Sequence, residues 1–474
     1  MMSETINCEV AVLGGGPGGY TAAFRAADLG KDVVIIEKQD RIGGVCLNVG
    51  CIPSKALLHA ADILEEAEEA AAYGIDFSPP AVNIDTLRKK KDDIITQLTG
   101  GLAYLAKARK VRIIRGAGVF SGKNEITISH DSQLTNIRFE NAIIAVGSSP
   151  AELPFLPNDD ERIWNSTDAL RLPFIPKRLA VLGGGIIGLE MAQVYSALGS
   201  KITIVEMLAQ IIPPSDEDLV RPLAMKLKRK YENVYTSTRL TGVKAGKNGL
   251  SLSLEGKKVP AALDADALLV AVGRRPNGKD IGAERIGIQV DGRGFIKVNK
   301  RMETGVPGIY AIGDVAGNPM LAHKAVHEGK CAAEVIAGQK SAVTPMGIPS
   351  VAYTNPEIAW VGYTEKQARE ENIPFETSVF NWAASGRALS ADKSAGLSKL
   401  LFDPESGRLI GAGVIGTRAG DLIAEAGLAI EMGADASDLS QTIHAHPTFS
   451  ETLAYAAEIA EGCITDTLAP KKKH

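Results

Sequence analysis

Short, almost wholly apolar runs punctuate the chain, each closed by glycine or charge, as strands buried on both faces of a parallel sheet do. The first, at residues 8–13, runs into Gly14-Gly15-Gly16-Pro17-Gly18-Gly19 and then into small and apolar residues that predict a helix over about 17–29. A second run, at 33–36, ends on Glu37 and completes a strand–helix–strand unit. The same layout returns later: an apolar run at 179–182, Gly183-Gly184-Gly185-Ile186-Ile187-Gly188, a helix to about 198, and a run at 202–205 ending on Glu206. The plainest organisational fact is therefore a duplicated nucleotide-binding unit.

Between the copies the pattern predicts helices over 55–72 and 84–108, separated by Pro79-Pro80, and strands at 111–114, 126–128 and 142–146. The Pro-rich stretch 150–157 is a candidate linker. A strand expected at 267–272 ends at Gly273-Arg274-Arg275-Pro276-Asn277, and residues 306–314 read as a strand and turn ahead of a helix through about 337. Pro345 and Pro349 mark a further boundary, after which short strands alternate with helices at 419–432 and 450–459, ahead of a basic tail at 470–474.

Composition narrows the class. At about 150 residues per domain, 474 residues suggest three domains. A formal net charge of −4 argues against a nucleic-acid binder and against an acidic solvating tail. Hydrophobic content of 45% and charged content of 23% are those of a globular protein. Glycine, at 49 residues, exceeds the usual ~7% and points to tight turns or close approach of backbone to ligand. Five cysteines are too few, and odd in number, for a disulfide-stapled scaffold. The N-terminus lacks the basic and apolar regions of a secretory signal, and no long uncharged apolar stretch occurs, so a cytoplasmic protein without a membrane span is expected.

Each G-x-G-x-x-G follows a predicted strand and opens a predicted helix, the context in which the motif binds a pyrophosphate at a helix N-terminus. Glu37 lies 21 residues after Gly16 and Glu206 lies 21 after Gly185, both placed to accept from ribose hydroxyls. A carboxylate repels a 2′-phosphate, and no Arg or Lys occurs from 207 to 220, so the second unit should prefer NAD over NADP. The spacing alone does not say which unit takes a flavin and which a nicotinamide.

Cys46 and Cys51 lie in Gly43-Gly44-Val45-Cys46-Leu47-Asn48-Val49-Gly50-Cys51-Ile52-Pro53-Ser54-Lys55. A distorted helix start there would bring the sulfurs together, with the helix dipole and Lys55 favouring a Cys51 thiolate that can pass electrons to a flavin. A zinc half-site, lacking a second ligand pair, and two unrelated thiols stay open on spacing alone. His323 and His327 have i, i+4 spacing but no evident third ligand, so no metal is expected. Cys8, Cys331 and Cys463 read as small buried hydrophobes, and 88–91 as a solvated helix face.

This cysteine segment resembles the redox-active disulfide segment of the flavin-dependent pyridine nucleotide-disulfide oxidoreductases, and within them the dihydrolipoamide dehydrogenase family. The likeness continues through 14–19, 183–190, Ala311-Ile312-Gly313-Asp314, Met320-Leu321-Ala322-His323-Lys324 and His444-Ala445-His446-Pro447-Thr448. It implies an α/β fold: a Rossmann-like FAD-binding domain at 1–150, a second, NAD-binding one at 151–276, a central segment at 277–344 that completes the FAD site, and an α+β dimerisation domain at 345–474. It places FAD on Gly14, Gly16 and Gly19, with Glu37 at the adenosine ribose, Gly118 near the adenine, Asp314 at the ribitol and Ala322 beside the flavin. Lys55 would stand near flavin N5, paired with Glu190. NAD would lie on Gly183, Gly185, Ile186, Ile187, Gly188, Glu206, Leu240 and Gly273, with Ile186 where glutathione reductases carry a tyrosine gate.

The resemblance further implies a Cys46–Cys51 disulfide, Cys51 next to the flavin and Cys46 outward. His446 would be the general base, oriented by Glu451 and supplied by the partner subunit of a homodimer, with His444 a neighbour lacking its own chemistry. The implied reaction oxidises dihydrolipoamide, carried by a lipoyl-bearing acyltransferase of a 2-oxo-acid dehydrogenase complex, with reduction of NAD. A glutathione reductase-like enzyme would want basic residues after Glu206, and a non-catalytic subunit would be expected to have lost Cys46, Cys51 or His446.

Overall fold

The structure, a computed structural model, describes residues 4–157 and 159–468. Strand Glu4–Leu13 divides its side chains between two cores. Val10 and Val12 pack with Ala22, Ala23 and Ala26 of helix Pro17–Asp28, whereas Ala11 and Leu13 pack with Phe120, Ile126 and Ile137. Both faces being buried, the period-two alternation vanishes from the sequence and only an apolar run remains.

Around this strand a seven-stranded sheet runs in the order Arg112–Arg115, Val33–Glu37, Glu4–Leu13, Gln133–Ile144, Glu125–His130, Ala117–Gly122, with Ile309–Ala311 parallel to the end of Gln133–Ile144. The strand expected at 142–146 thus begins nine residues earlier, at Gln133. Its polar first half pairs antiparallel with Glu125–His130 in a hairpin that an apolar-run criterion cannot see.

The second unit is an all-parallel sheet ordered Asn233–Tyr235, Lys201–Val205, Arg178–Leu182, Ala267–Val270, Ile163–Trp164. A three-stranded antiparallel sheet, Thr238–Gly246, Gly249–Gly256 and Ala262–Ala265, is additional to the sequence reading. Its buried Leu250, Leu252 and Leu254 pack with Leu182, Val205 and Val270. Helix Glu217–Lys230 was likewise not anticipated, its charges and Pro222 masking the buried Leu219, Leu223 and Leu227.

The C-terminal sheet is antiparallel, ordered Ser350–Ala352, Glu357–Gly362, Leu409–Gly416, Leu397–Phe402, Glu376–Asn381. Helices Ala419–Met432 and Glu451–Glu461 pack on it. Lys399 on strand Leu397–Phe402 is 1% exposed, with Nζ 2.7 Å from Asp216, 2.8 Å from Asp218 and 3.1 Å from Glu365. This ammonium ties the second unit to the C-terminal sheet, and without it the carboxylates would face one another unneutralised. Lys399→Met is expected to cost on the order of 3 kcal/mol, read as a lowered denaturant midpoint.

Three sequence readings need correction. Cys463 is exposed, unlike the buried Cys8 and Cys331. The run 88–91 is not wholly solvated: Arg88 donates to the Leu172 carbonyl at 2.8 Å, and buried Lys91 to the Leu170 carbonyl at 3.1 Å. The helix expected from residue 55 begins at Cys51. The basic tail at 470–474 lies outside the described residues. Among the described residues no helix is long and apolar enough to cross a membrane.

Candidate active site

The two glycine turns match residue for residue. Gly14 and Gly183 hold φ of 107° and 105°, and a Cβ on either would run into the carbonyl oxygen of Ala145 or Ala271. A Cβ on Gly19 or Gly188 would strike the carbonyl of Gly14 or Gly183, so the third glycine is what lets the helix sit against the turn. Both helices open on a glycine, Gly16 or Gly185, without a side-chain cap, leaving their first N–H groups for an anion.

The acids at the strand ends brace these turns. Glu37 accepts from the N–H groups of Gly15 and Gln39, each at 2.8 Å. Glu206 accepts from Gly184 at 2.6 Å and Leu208 at 2.7 Å. Each carboxylate has lone pairs to spare for ribose hydroxyls.

Both turns open into one cleft of about 2180 Å³, well beyond the ~300–1,000 Å³ of a single small-molecule site. Gly14, Gly16, Gly19, Glu37, Lys55, Gly118, Gly183, Gly185, Ile186, Ile187, Glu190, Glu206, Leu240, Gly273, Asp314 and Ala322 all line it, as do Cys46 and Cys51. Gly188 does not line it and serves the packing behind the turn. Uncapped helix starts, braced acids and an apolar-walled cleft fit two dinucleotides.

The cysteines sit either side of a helix break. Helix Gly44–Val49 stops at Gly50, whose φ of −144° and ψ of −114° are non-helical, and Cys51 starts the next helix, Cys51–Glu69. The two thiols shift each other in opposite directions, so they act as a pair and not as two unrelated thiols. The hydrogen bond between them, with the positive charge of Lys55, outweighs burial and brings Cys51 down to about 7. Cys46 is pushed the other way, by donating the bond and by burial. Cys51 is thus the member of the pair favoured to ionise. Among the described residues no group of three or more His, Cys, Asp or Glu could hold a metal ion.

Lys55 Nζ lies 3.0 and 2.9 Å from the two Glu190 oxygens and 4.2 Å above the Tyr353 ring. The Tyr353 N–H donates to the same Glu190 carboxylate at 3.2 Å, so the pair joins helix Cys51–Glu69, helix Ile186–Ala197 and the C-terminal part of the chain. Asp314 is held from the other side. Ser148 Oγ donates to it at 2.5 Å, and Arg274 donates to Ser148 Oγ and to the Ser148 carbonyl, both at 2.7 Å. Burial draws the Arg274 guanidinium below its ordinary value, against the opposing pull of Asp314 and Cys51.

The turn before Asp314 is pinned by a buried pair. Lys324 bonds to Glu328 at 2.8 Å and to the Gly313 carbonyl at 3.2 Å, and Glu328 accepts from the Gly313 N–H at 2.6 Å. Sequence reasoning missed Ser148, Arg274 and Glu328. The i, i+4 spacing of Lys324 and Glu328 was a usable signal, whereas Ser148 and Arg274 meet only across the fold.

His446 Nδ1 lies 2.7 Å from Glu451 Oε1, and the Thr448 N–H donates to Glu451 Oε2 at 2.6 Å. Burial raises the Glu451 carboxyl, but Thr448 and His446 outweigh it and leave the group below its ordinary value. The His446 side chain is 74% exposed and lines no part of the cleft, so one chain alone does not bring it into the cleft with the thiols. Phe449 stacks on Trp382 at 5.2 Å and anchors the segment. His444 has separate partners, Glu425 at 2.6 Å and the Thr442 carbonyl at 2.8 Å.

Residues 8–329 match the pyridine nucleotide-disulphide oxidoreductase family, and 348–457 match the dimerisation domain of that family. The dihydrolipoyl dehydrogenase of Vibrio cholerae is 54% identical over 100% of this chain and 99% of its own length. That of Haemophilus influenzae is 52% identical over the same shares, and that of Bacillus subtilis 43% over 96% and 97%. Among solved structures, LpdA of Mycobacterium tuberculosis is 25% identical with a TM-score of 0.87 over 95% of this chain and 99% of that one. The HOCl-induced flavoprotein disulfide reductase RclA of Escherichia coli, in its Cu(II) complex, is 25% identical with a TM-score of 0.85 over 96% and 99%. Twin glycine turns, a polarised cysteine pair and full-length likeness converge: the chain belongs to the pyridine nucleotide-disulphide oxidoreductase family.

Proposed function

We propose that the chain oxidises dihydrolipoamide to lipoamide with reduction of NAD+ to NADH, through a Cys46–Cys51 disulfide and FAD. The observation that carries the reading is the polarised cysteine pair in the cleft shared by both glycine turns. FAD, held by Gly14, Gly16, Gly19, Glu37, Gly118, Asp314 and Ala322, supplies the two-electron relay from the dithiol to NAD+.

The chain's own residues do the sulfur chemistry. Glu451 accepts from His446 Nδ1–H, which fixes the tautomer and leaves Nε2 free to take a proton. Nε2 takes the proton of one substrate thiol, and the thiolate attacks Cys46, breaking the Cys46–Cys51 bond and forming a mixed disulfide. Cys51 leaves as the thiolate that its environment favours. The second substrate thiol then attacks the substrate sulfur of the mixed disulfide, closing the lipoyl ring and releasing Cys46. Two substrate thiols have become a disulfide, and the enzyme disulfide has become a thiol and a thiolate. Lys55 and Glu190 hold the wall beside Cys51, and Gly183, Gly185, Ile186, Ile187, Glu206, Leu240 and Gly273 would hold NAD+, with Gly188 packing behind the turn.

The dimerisation domain and the surface position of His446 support a homodimer in which each subunit supplies the other's base. The carrier of the substrate is a lipoyl-bearing acyltransferase of a 2-oxo-acid dehydrogenase complex, met in the bacterial cytoplasm. Turnover with dihydrolipoamide and NAD+ tests the reading against NADPH-dependent reduction of glutathione disulfide. Activity in the second assay and none in the first would overturn it. Glu206→Gln, which loses one brace and the charge at the ribose, is expected to raise the KM for NAD+ about tenfold, with reduction of the enzyme by dihydrolipoamide unchanged in stopped flow.

A further inference from the structure

Tyr455 lies one helical turn beyond Glu451, on the same face of helix Glu451–Glu461. Its hydroxyl donates to Glu451 Oε1 at 3.2 Å, the oxygen that His446 Nδ1 reaches at 2.7 Å. The ring is packed against Phe380 of strand Glu376–Asn381, with centroids 4.9 Å apart, so the sheet and not the histidine segment sets the position of the hydroxyl. Burial, then the charges of Glu451, Asp466 and Glu458, push the phenol up to about 12. Glu458 in turn faces Asp466 and His444. The groups facing the hydroxyl are therefore acidic, and towards a carboxylate a phenol that keeps its proton is the donor.

We propose that Tyr455 is a positioning residue for the His446–Glu451 pair: by donating to the oxygen that His446 uses, it shares that oxygen's charge and loosens the carboxylate's hold on the imidazolium. The inference rests on the reading of His446 as the base. A base must release its proton between turnovers, and a carboxylate that held the imidazolium alone would keep it protonated to higher pH. The Thr448 N–H on the other oxygen keeps the carboxylate oriented while Tyr455 moderates its strength.

Tyr455→Phe keeps the ring and its packing and removes only the donor. In the FAD-loaded full chain, the acid limb of kcat/KM for dihydrolipoamide is expected to move up by about half a unit, roughly a threefold loss on the limb, with the plateau unchanged. An unmoved limb, or one that moves down, overturns the proposal. A packing role alone would lower Tm and leave the limb in place, so thermal unfolding is recorded beside the profile. His446→Gln separates this inference from the reading beneath it. If His446→Gln kept wild-type turnover, the base assignment would fall and Tyr455's role with it. If it abolished turnover while Tyr455→Phe left the limb unmoved, the Tyr455 assignment alone would fall.

Discussion

Cys51→Ala is expected to lower turnover of dihydrolipoamide with NAD+ by on the order of 10³-fold or more, because no internal disulfide can then form. It should also remove the long-wavelength absorption that a thiolate lying against a flavin gives in the two-electron-reduced protein. In the wild type that absorption should titrate with a midpoint of about 7, since the Cys46 thiol and Lys55 hold Cys51 down there. The sign follows from the direction of the shift: the thiolate is present above the midpoint and is lost as pH falls through it. Cys46→Ala abolishes turnover equally but keeps the absorption. It deprives Cys51 of its hydrogen-bond donor, so the midpoint should rise by about one unit or more towards that of an ordinary thiol near 8.5. If Cys46→Ala lost the absorption and Cys51→Ala kept it, the order of the two sulfurs would be the reverse.

His446→Gln is the second large effect. Loss of the proton acceptor should lower dihydrolipoamide turnover about 10²- to 10⁴-fold. Reduction of the flavin by NADH should proceed at the wild-type rate, because that hydride transfer removes no thiol proton and needs no base. A sharper form mixes two inactive chains, His446→Gln and Cys46→Ala, dissociated and reassembled together. Random pairing puts half the molecules into hybrids, each with one intact site, so about a quarter of wild-type activity should return. No recovery in demonstrated hybrids would place the base and the thiols on the same chain.

Where the chemistry depends on neighbours in sequence, it was legible. The glycine turns, the acids that close each unit and the paired cysteines are local, and each carries its physical reason within about twenty residues. A distorted helix start near the cysteines was expected from the same segment, but not the helix Gly44–Val49 or its break at Gly50. What escaped was made by the fold. Ser148 and Arg274 lie 126 residues apart in the chain and meet at Asp314 only because strand Ser148–Pro150 pairs with Arg274–Pro276 in a two-stranded sheet. Lys399 sits on the fully buried strand Leu397–Phe402, and its carboxylate partners lie on other segments. The sheet at 238–265 was missed differently: its Ser-Leu alternation was readable, but attention to apolar runs passes over half-polar strands. Tyr455 stood in plain view at i+4 from Glu451, and only the hydrogen bond between them made that spacing suggest a role.

The exposed His446 has one more consequence. With His446 as the base, a single chain would encode every reacting group but keep that base at its own surface, apart from its thiols. Far below the dimer's dissociation constant, working sites would then accumulate with the square of chain concentration and not in proportion to it. Dilution alone should silence the catalyst without unfolding it, and a modest fall in expression would cost a cell more flux than protein.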